Sequence, residues 1–351
     1  MKTIHMRLVA VAIILATGLI SCGGDKNAGP SEGTKLQGAG ASFPAPLYQK
    51  WFKSYSASHN GVQINYQSIG SGGGIKSIID KTVDFGASDA AMSAEEMAKV
   101  DVGVQLLPMT GGCIVLTYNL KGVPTLKLSR QAYAGIFLGK IIKWNDPLIA
   151  KDNPGVALPD QPISVVVRAD GSGTTFVFTK HLSTISAEFA KSPGINTLPN
   201  WPTGTRSKGN EGVTASVMMT PGAIGYIEYL YAKSQNLPMA VLENKSGNFV
   251  APSVASATAS LASAKFPESL IAWVPDPEAK DAYPIATYTW LICYKQYKDK
   301  KKFQLLQDLL TYCVTEGQKE SEAIGYIPLP QEVAEKDKAA IQNITLAPNA
   351  T

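Results

Sequence analysis

Apolar and polar positions along this chain follow two alternating periods. Val62-Gln63-Ile64-Asn65-Tyr66-Gln67 alternates residue by residue, the two-residue period of a strand, and the run from Ile75 to Ile79 behind it has helical spacing. Val83-Asp84-Phe85-Gly86-Ala87 predicts a short strand ending at Ser88-Asp89. Ser93 and Glu96 stand at capping-box spacing and predict a helix start. Val104 to Pro108 and Gly112 to Tyr118 predict two strands with a break between them. Helical pieces are expected over 132–138 and 146–150, around the segment Gly139 to Asn145. Strands are expected over 163–167, over 223–227 after the Pro221-Gly222 turn, and over 284–294, with a helix over 303–316. The chain after Gln331 is polar and unremarkable. No internal repeat is present. Strand and helix alternation predicts an α/β fold with mainly parallel sheets, in which ligands sit at the carboxyl ends of the strands.

At 351 residues the chain exceeds the size at which single cores stop growing, so two lobes are expected. Its first residues read as a leader. Lys2, His5 and Arg7 precede an uncharged apolar run from Leu8 to Ile20, too short for a comfortable membrane span. Leu19-Ile20-Ser21-Cys22 resembles a bacterial lipobox, which would make Cys22 the lipidated first residue after a signal peptide over 1–21. Residues 22–35 then read as a flexible tether. From Gly23 on, its coil would span roughly 20 Å on average. Removing Lys2 and Arg7 with the leader takes 32 basic residues to 30, against 28 acidic ones. No Lys/Arg run is long enough for a nucleic-acid footprint; Lys298-Asp299-Lys300-Lys301-Lys302 reads as a solvated turn. Cys113, Cys293 and Cys313 read as buried thiols, or as one disulfide and one free thiol. They show no metal spacing.

Three segments place Gly with Ser or Thr directly before a helix-like run: Gly38 to Pro46, Gly70 to Gly74, and Arg168 to Thr174. A helix N-terminus offers unpaired N–H groups and partial positive charge, and a nearby hydroxyl adds a donor. Three such starts point to one small tetrahedral anion held by several loops. Gly70-Ser71-Gly72-Gly73-Gly74-Ile75-Lys76-Ser77 nearly matches a nucleotide P-loop, but Ile75 stands where the last glycine belongs. Arg168 offers a planar fork for oxyanions, and Asp170 could orient it. Asp89 makes sense beside an anion only if the anion carries a proton for it to accept; otherwise it is a turn cap. His59 and His181 pair with no nucleophile, and no Gly-x-Ser-x-Gly elbow is present, so neither catalysis nor a cofactor or metal is expected.

Together Gly38 to Pro46, Ile69 to Gly74, Val83 to Ala90, Leu138 to Asp146, Arg168 to Thr174 and Pro221 to Tyr226 resemble the substrate-binding protein of the high-affinity phosphate ABC transporter, from about Leu36 to Pro330. The resemblance implies a two-lobed periplasmic binding protein fold of type II with the ligand in the inter-lobe cleft. Lobe one would comprise 36–118 and 285–351, and lobe two 119–284. The phosphate contacts it implies are Ser42, Phe43 through its backbone, Ser71, Asp89, Arg168, Ser172, Gly173 through its backbone, and Thr174, with Asp170 supporting Arg168. The implied partners are inorganic phosphate, the permease subunits of an ABC importer, and a membrane reached through the lipid on Cys22; a monomer is expected. Ser42 stands where the family more often has Thr, and Gly72 where a second Ser is frequent. A receptor for another oxyanion, such as sulfate or molybdate, stays open. A secreted phosphatase-like protein would need a nucleophile–base pair or a metal cluster.

Overall fold

A computed structural model describes residues 33–350. The leader, Cys22 and residues 23–32 lie outside the described residues. Eight strands form the main sheet: β1 Lys35–Gly40, β2 Gln63–Ser68, β3 Phe85–Ser88, β4 Val104–Tyr118, β5 Ser164–Arg168, β6 Thr205–Ser207, β7 Ala223–Glu228 and β8 Ala286–Tyr294. Their order is β2-β1-β3-β8-β4-β7-β5-β6. β1 is parallel to β2 and β3, and β5 is parallel to β6 and β7. The central strands β4 and β8 are antiparallel to each other and to their outer neighbours. The sheet is therefore mixed, where strand and helix alternation alone predicts a mainly parallel one.

β4 is one continuous strand of 15 residues, without the expected break. Residues Val104 to Cys113 pair with β8, and Ile114 to Tyr118 pair with β7. Pro108, which has no N–H to give, sits opposite Trp290, beside a register shift at Thr289/Trp290. A bulge at that point lets the ladder pass a proline. One strand thus serves two groups of strands: β1–β3 with β8 on one side, β5–β7 on the other.

Each group carries its own aromatic cluster within one continuous hydrophobic core. Tyr48, Phe52, Tyr66 and Phe85 pack together against the β1–β3 side. Phe137, Phe178, Trp201 and Tyr226 pack together on the β5–β7 side. Burying one such ring contributes about 1.5–3 kcal/mol, so each cluster can hold its own group of strands.

Four helices reach the carboxyl ends of these strands: α1 Ala45–Ser58, α2 Ser71–Ile79, α3 Gly173–Ile185 and α4 Gly209–Met219. The Ser93–Glu96 capping box forms as expected. The tail after Gln331 is not featureless. It makes the helix Gln331–Gln342, which buries Val333, Asp337 and Ile341, and a strand Thr345–Leu346 parallel to Gln296–Tyr297. Its apolar positions are too widely spaced to stand out among charges. Cys113, Cys293 and Cys313 are buried free thiols. His59 stacks on Tyr55, and buried His181 has both ring nitrogens paired, to the Tyr133 hydroxyl and the Pro275 carbonyl.

Candidate functional site

The three glycine-rich helix starts converge. α2 begins at Ser71, four residues earlier than its apolar run suggests, because Gly72 to Gly74 form its first turn. Gly72 lies against Gly171, and its N–H donates to the Gly171 carbonyl at 2.8 Å. A side chain at position 72 would place its Cβ 3.2 Å from the Gly171 Cα. A serine there would need the Gly171 loop to give by a few tenths of an ångström. Gly173 opens α3 against Asp89: a Cβ at 173 would stand 2.8 Å from the Asp89 nitrogen.

Ser42, Phe43, Ser71, Asp89, Arg168, Ser172 and Thr174 are all buried. Ser71 Oγ accepts the Asp89 N–H at 3.2 Å, and Ser172 Oγ accepts the Thr175 N–H at 3.0 Å as the cap of α3. The Thr174 hydroxyl donates to Asp89 Oδ2 at 3.3 Å. Phe43 is fixed through its carbonyl, which accepts from the Tyr326 hydroxyl at 2.6 Å. Ser71, Asp89 and Thr174 thus join directly at the strand ends, and Gly173 packs against Asp89.

Arg168 is 1% exposed and leaves β5 beside Asp170. Its Nε and Nη2 donate to the two Asp170 oxygens at 2.9 and 2.6 Å. Its Nη1 is buried with no protein partner. The side edge of the guanidinium is therefore taken by Asp170, while the end edge keeps donors for a ligand oxygen. Asp170 also accepts the Gly209 N–H at 3.0 Å. Burial pushes its carboxyl up, but the Arg168 pair outweighs this and holds it below the usual carboxylate range.

Burial pushes Asp89 up to about 7, against the opposing pull of the Thr289 hydroxyl, Arg168 and the Thr174 hydroxyl. The Thr289 hydroxyl donates to Asp89 Oδ1 at 2.9 Å. Near neutrality both the ionised and the protonated forms of Asp89 are therefore populated.

Sequence reasoning misses three residues here. Asn210 sits at the start of α4, fully buried, with its amide toward Ser42. Thr289 comes from the far strand β8. Glu228, at the end of β7, is fully buried, with Oε2 accepting the Leu230 N–H at 2.9 Å and Oε1 unpartnered. Burial raises its carboxyl to about 8. None of the three belongs to a glycine-rich start; Lys208-Gly209-Asn210 before an apolar run was the one available signal. Among the described residues no group of three or more His, Cys, Asp or Glu side chains could hold a metal ion. No helix among them is long and apolar enough to cross a membrane.

Residues 25–316 match the family model described as the PBP superfamily domain. Over 309 residues the chain is 43% identical to the phosphate-binding protein PstS of Pasteurella multocida strain Pm70, covering 87% of this chain and 89% of that one. It is 37% identical over 374 residues to the phosphate-binding protein PstS of Methanocaldococcus jannaschii, covering 98% and 96%. The subatomic-resolution structure of a high-affinity periplasmic phosphate-binding protein (PfluDING) bound with phosphate has a TM-score of 0.73 to it, at 21% identity, over 87% of this chain and 93% of that one. At that identity the likeness speaks for the fold, which is the two-lobed one.

Proposed function

This chain belongs to the phosphate-binding proteins of the PBP superfamily, and on that premise we propose that it is an extracytoplasmic receptor that binds inorganic phosphate and delivers it to an ABC importer. It binds its ligand and does not transform it. The observation that carries the reading is the pairing of buried donors with one acceptor. Ser42, Ser71, Ser172 and the free edge of Arg168 offer hydrogens, with the N–H groups at the starts of α2 and α3. Asp89 alone among these groups offers a carboxylate. Monohydrogen phosphate matches that set: three bare oxygens for the donors and one O–H for Asp89. Sulfate brings no hydrogen and, above about pH 7 where Asp89 is ionised, would set two negative groups in contact, which costs about 1–3 kcal/mol or more for an unpaired buried group.

The lobes are taken as 36–118 with 285–351, and 119–284, joined through β4 and its neighbours. The site residues are Ser42, Phe43, Ser71, Asp89, Arg168, Ser172, Gly173 and Thr174, with Asp170 holding Arg168. The protein acts as a monomer, tethered through a lipid on Cys22. Titration calorimetry of the purified protein with phosphate and with sulfate tests the ligand: sulfate binding as tight as phosphate removes the reading. For the anchor, Cys22→Ala should abolish incorporation of a labelled fatty acid and leave phosphate affinity unchanged, because the tether separates residue 22 from the strands. Undiminished label in that variant removes the anchor.

A further inference from the structure

Building on the phosphate reading above, we propose that Asn210 is a positioning residue that commits the Ser42 hydroxyl to donating toward the bound anion. A serine hydroxyl has one hydrogen and two lone pairs, and it rotates to donate or accept as its surroundings allow. Here both lone pairs of Ser42 are used. The backbone N–H of Asn210 donates to Ser42 Oγ at 3.1 Å, and Asn210 Nδ2 donates to the same oxygen at 2.8 Å. The orientation of the amide follows from its other end. Asn210 Oδ1 accepts the Glu228 backbone N–H at 2.9 Å, and a backbone N–H can only donate. The oxygen must therefore face Glu228 and the NH2 must face Ser42. The same NH2 lies 3.4 Å from Thr174 Oγ1, whose own hydrogen goes to Asp89.

With two hydrogen bonds received, the hydrogen of Ser42 is its only remaining capacity. This matters for the ligand's proton. A serine free to rotate could accept the O–H of phosphate in competition with Asp89. A saturated Ser42 cannot, so the ligand's hydrogen is directed to Asp89. The arrangement also ties distant parts of the chain together. Gly209 holds Asp170, Asn210 holds Ser42, and Glu211 Oε1 accepts from Ser68 and lies 3.1 Å from the Tyr231 hydroxyl, whose one hydrogen goes to the Ser42 carbonyl at 2.7 Å. Three consecutive residues of α4 thus reach the loop after β1, the end of β2 and the strand end that carries Arg168.

The test is a double-mutant cycle on the mature protein, with phosphate affinity read by calorimetry for the parent, Asn210→Ala, Ser42→Ala and the double variant. A role through Ser42 predicts that Asn210→Ala weakens phosphate roughly 10- to 50-fold in the parent, as expected for a charge-assisted bond. In the Ser42→Ala background the same change should weaken it less than about twofold. A residue that merely supports α4 would cost the same in both backgrounds. Asn210→Ala also strips the Glu228 N–H of its acceptor, so Asn210→Asp is run in the same cycle. It keeps Oδ1 toward Glu228 and turns the donor into an acceptor. Its added charge is common to both backgrounds and cancels, so the loss should be about tenfold greater when Ser42 is present. Equal losses with and without Ser42, in a parent that binds phosphate, overturn the role of Asn210 and leave the phosphate reading standing. A parent that binds no phosphate overturns both.

Discussion

Two aspartates are buried in different parts of the molecule, and only one has company. Asp89 lies at the carboxyl end of β3, with the hydroxyls of Thr289 and Thr174 on its two oxygens and Arg168 close by. Asp337 lies inside the helix Gln331–Gln342, fully buried, with neither oxygen partnered. Burial pushes both carboxyls up, Asp89 to about 7 and Asp337 to about 9. Desolvation disfavours the charged form in both places. The difference lies in the partners. They keep Asp89 able to ionise at neutral pH, where it can sense a proton on a ligand. Asp337 stays neutral throughout that range, and its only effect is on stability.

The comparison can be pressed hardest at the residue that completes the first environment. Arg168→Ala removes the one cation near Asp89 and leaves Asp170 unpaired. Phosphate affinity should fall by about 3–4 kcal/mol, some hundreds-fold, in a calorimetric titration. Arg168→Lys should recover only part, since an ammonium lacks the second edge of the fork. Parent-like binding by Arg168→Ala would mean that the cluster is not the anion site.

Next in size is selectivity. Above about pH 7 ionised Asp89 accepts from phosphate and repels sulfate; below it, protonated Asp89 can donate to sulfate. The phosphate-to-sulfate affinity ratio of the parent should therefore fall as pH drops from 8 to 6. In Asp89→Asn the ratio should be lower at pH 8, by roughly tenfold, and should not fall in that way on acidification. A ratio unchanged by the substitution would make Asp89 a turn cap.

The solitary aspartate bears on stability and not on the ligand. The folded-state value of Asp337 lies far above its ordinary one. Its contribution is therefore whole below about pH 4 and lost as pH rises through about 9. Asp337→Asn should raise stability by on the order of 2 kcal/mol at pH 9 and change it little at pH 4. Denaturant melts at the two pH values check this, and equal shifts at both would show that Asp337 finds partners.

Much of this site was legible because its parts announce themselves locally. A helix start that receives an oxyanion needs glycine for close approach and a hydroxyl or N–H to donate, and those needs fall on neighbouring residues. Ser71, Ser172, Gly173 and Thr174 could be read for that reason, and Arg168 with Asp170 because they stand two apart on one strand end. Asn210 and Thr289 could not. Each works through a bond to a residue far along the chain, Ser42 in one case and Asp89 in the other; Gly209 before an apolar run hints at a helix start at Asn210 but not at that bond, and nothing nearby marks Thr289. The same limit applies to the sheet. Which strands exist was written in their alternation, but β4 passes Pro108 through a bulge of its own, with Met109 as the extra residue opposite β8. The direction of β4 and β8 is likewise set by partners more than a hundred residues away.

The ion pair between Arg168 and Asp170 has a consequence for the conditions under which the protein works. Because the guanidinium is neutralised two residues from where it stands, an approaching anion meets little net charge beyond a Debye length, about 8 Å at physiological salt. Arg168 then adds little to long-range steering, which fades as electrolyte concentration rises. Dilute water and brine should look nearly alike to this receptor.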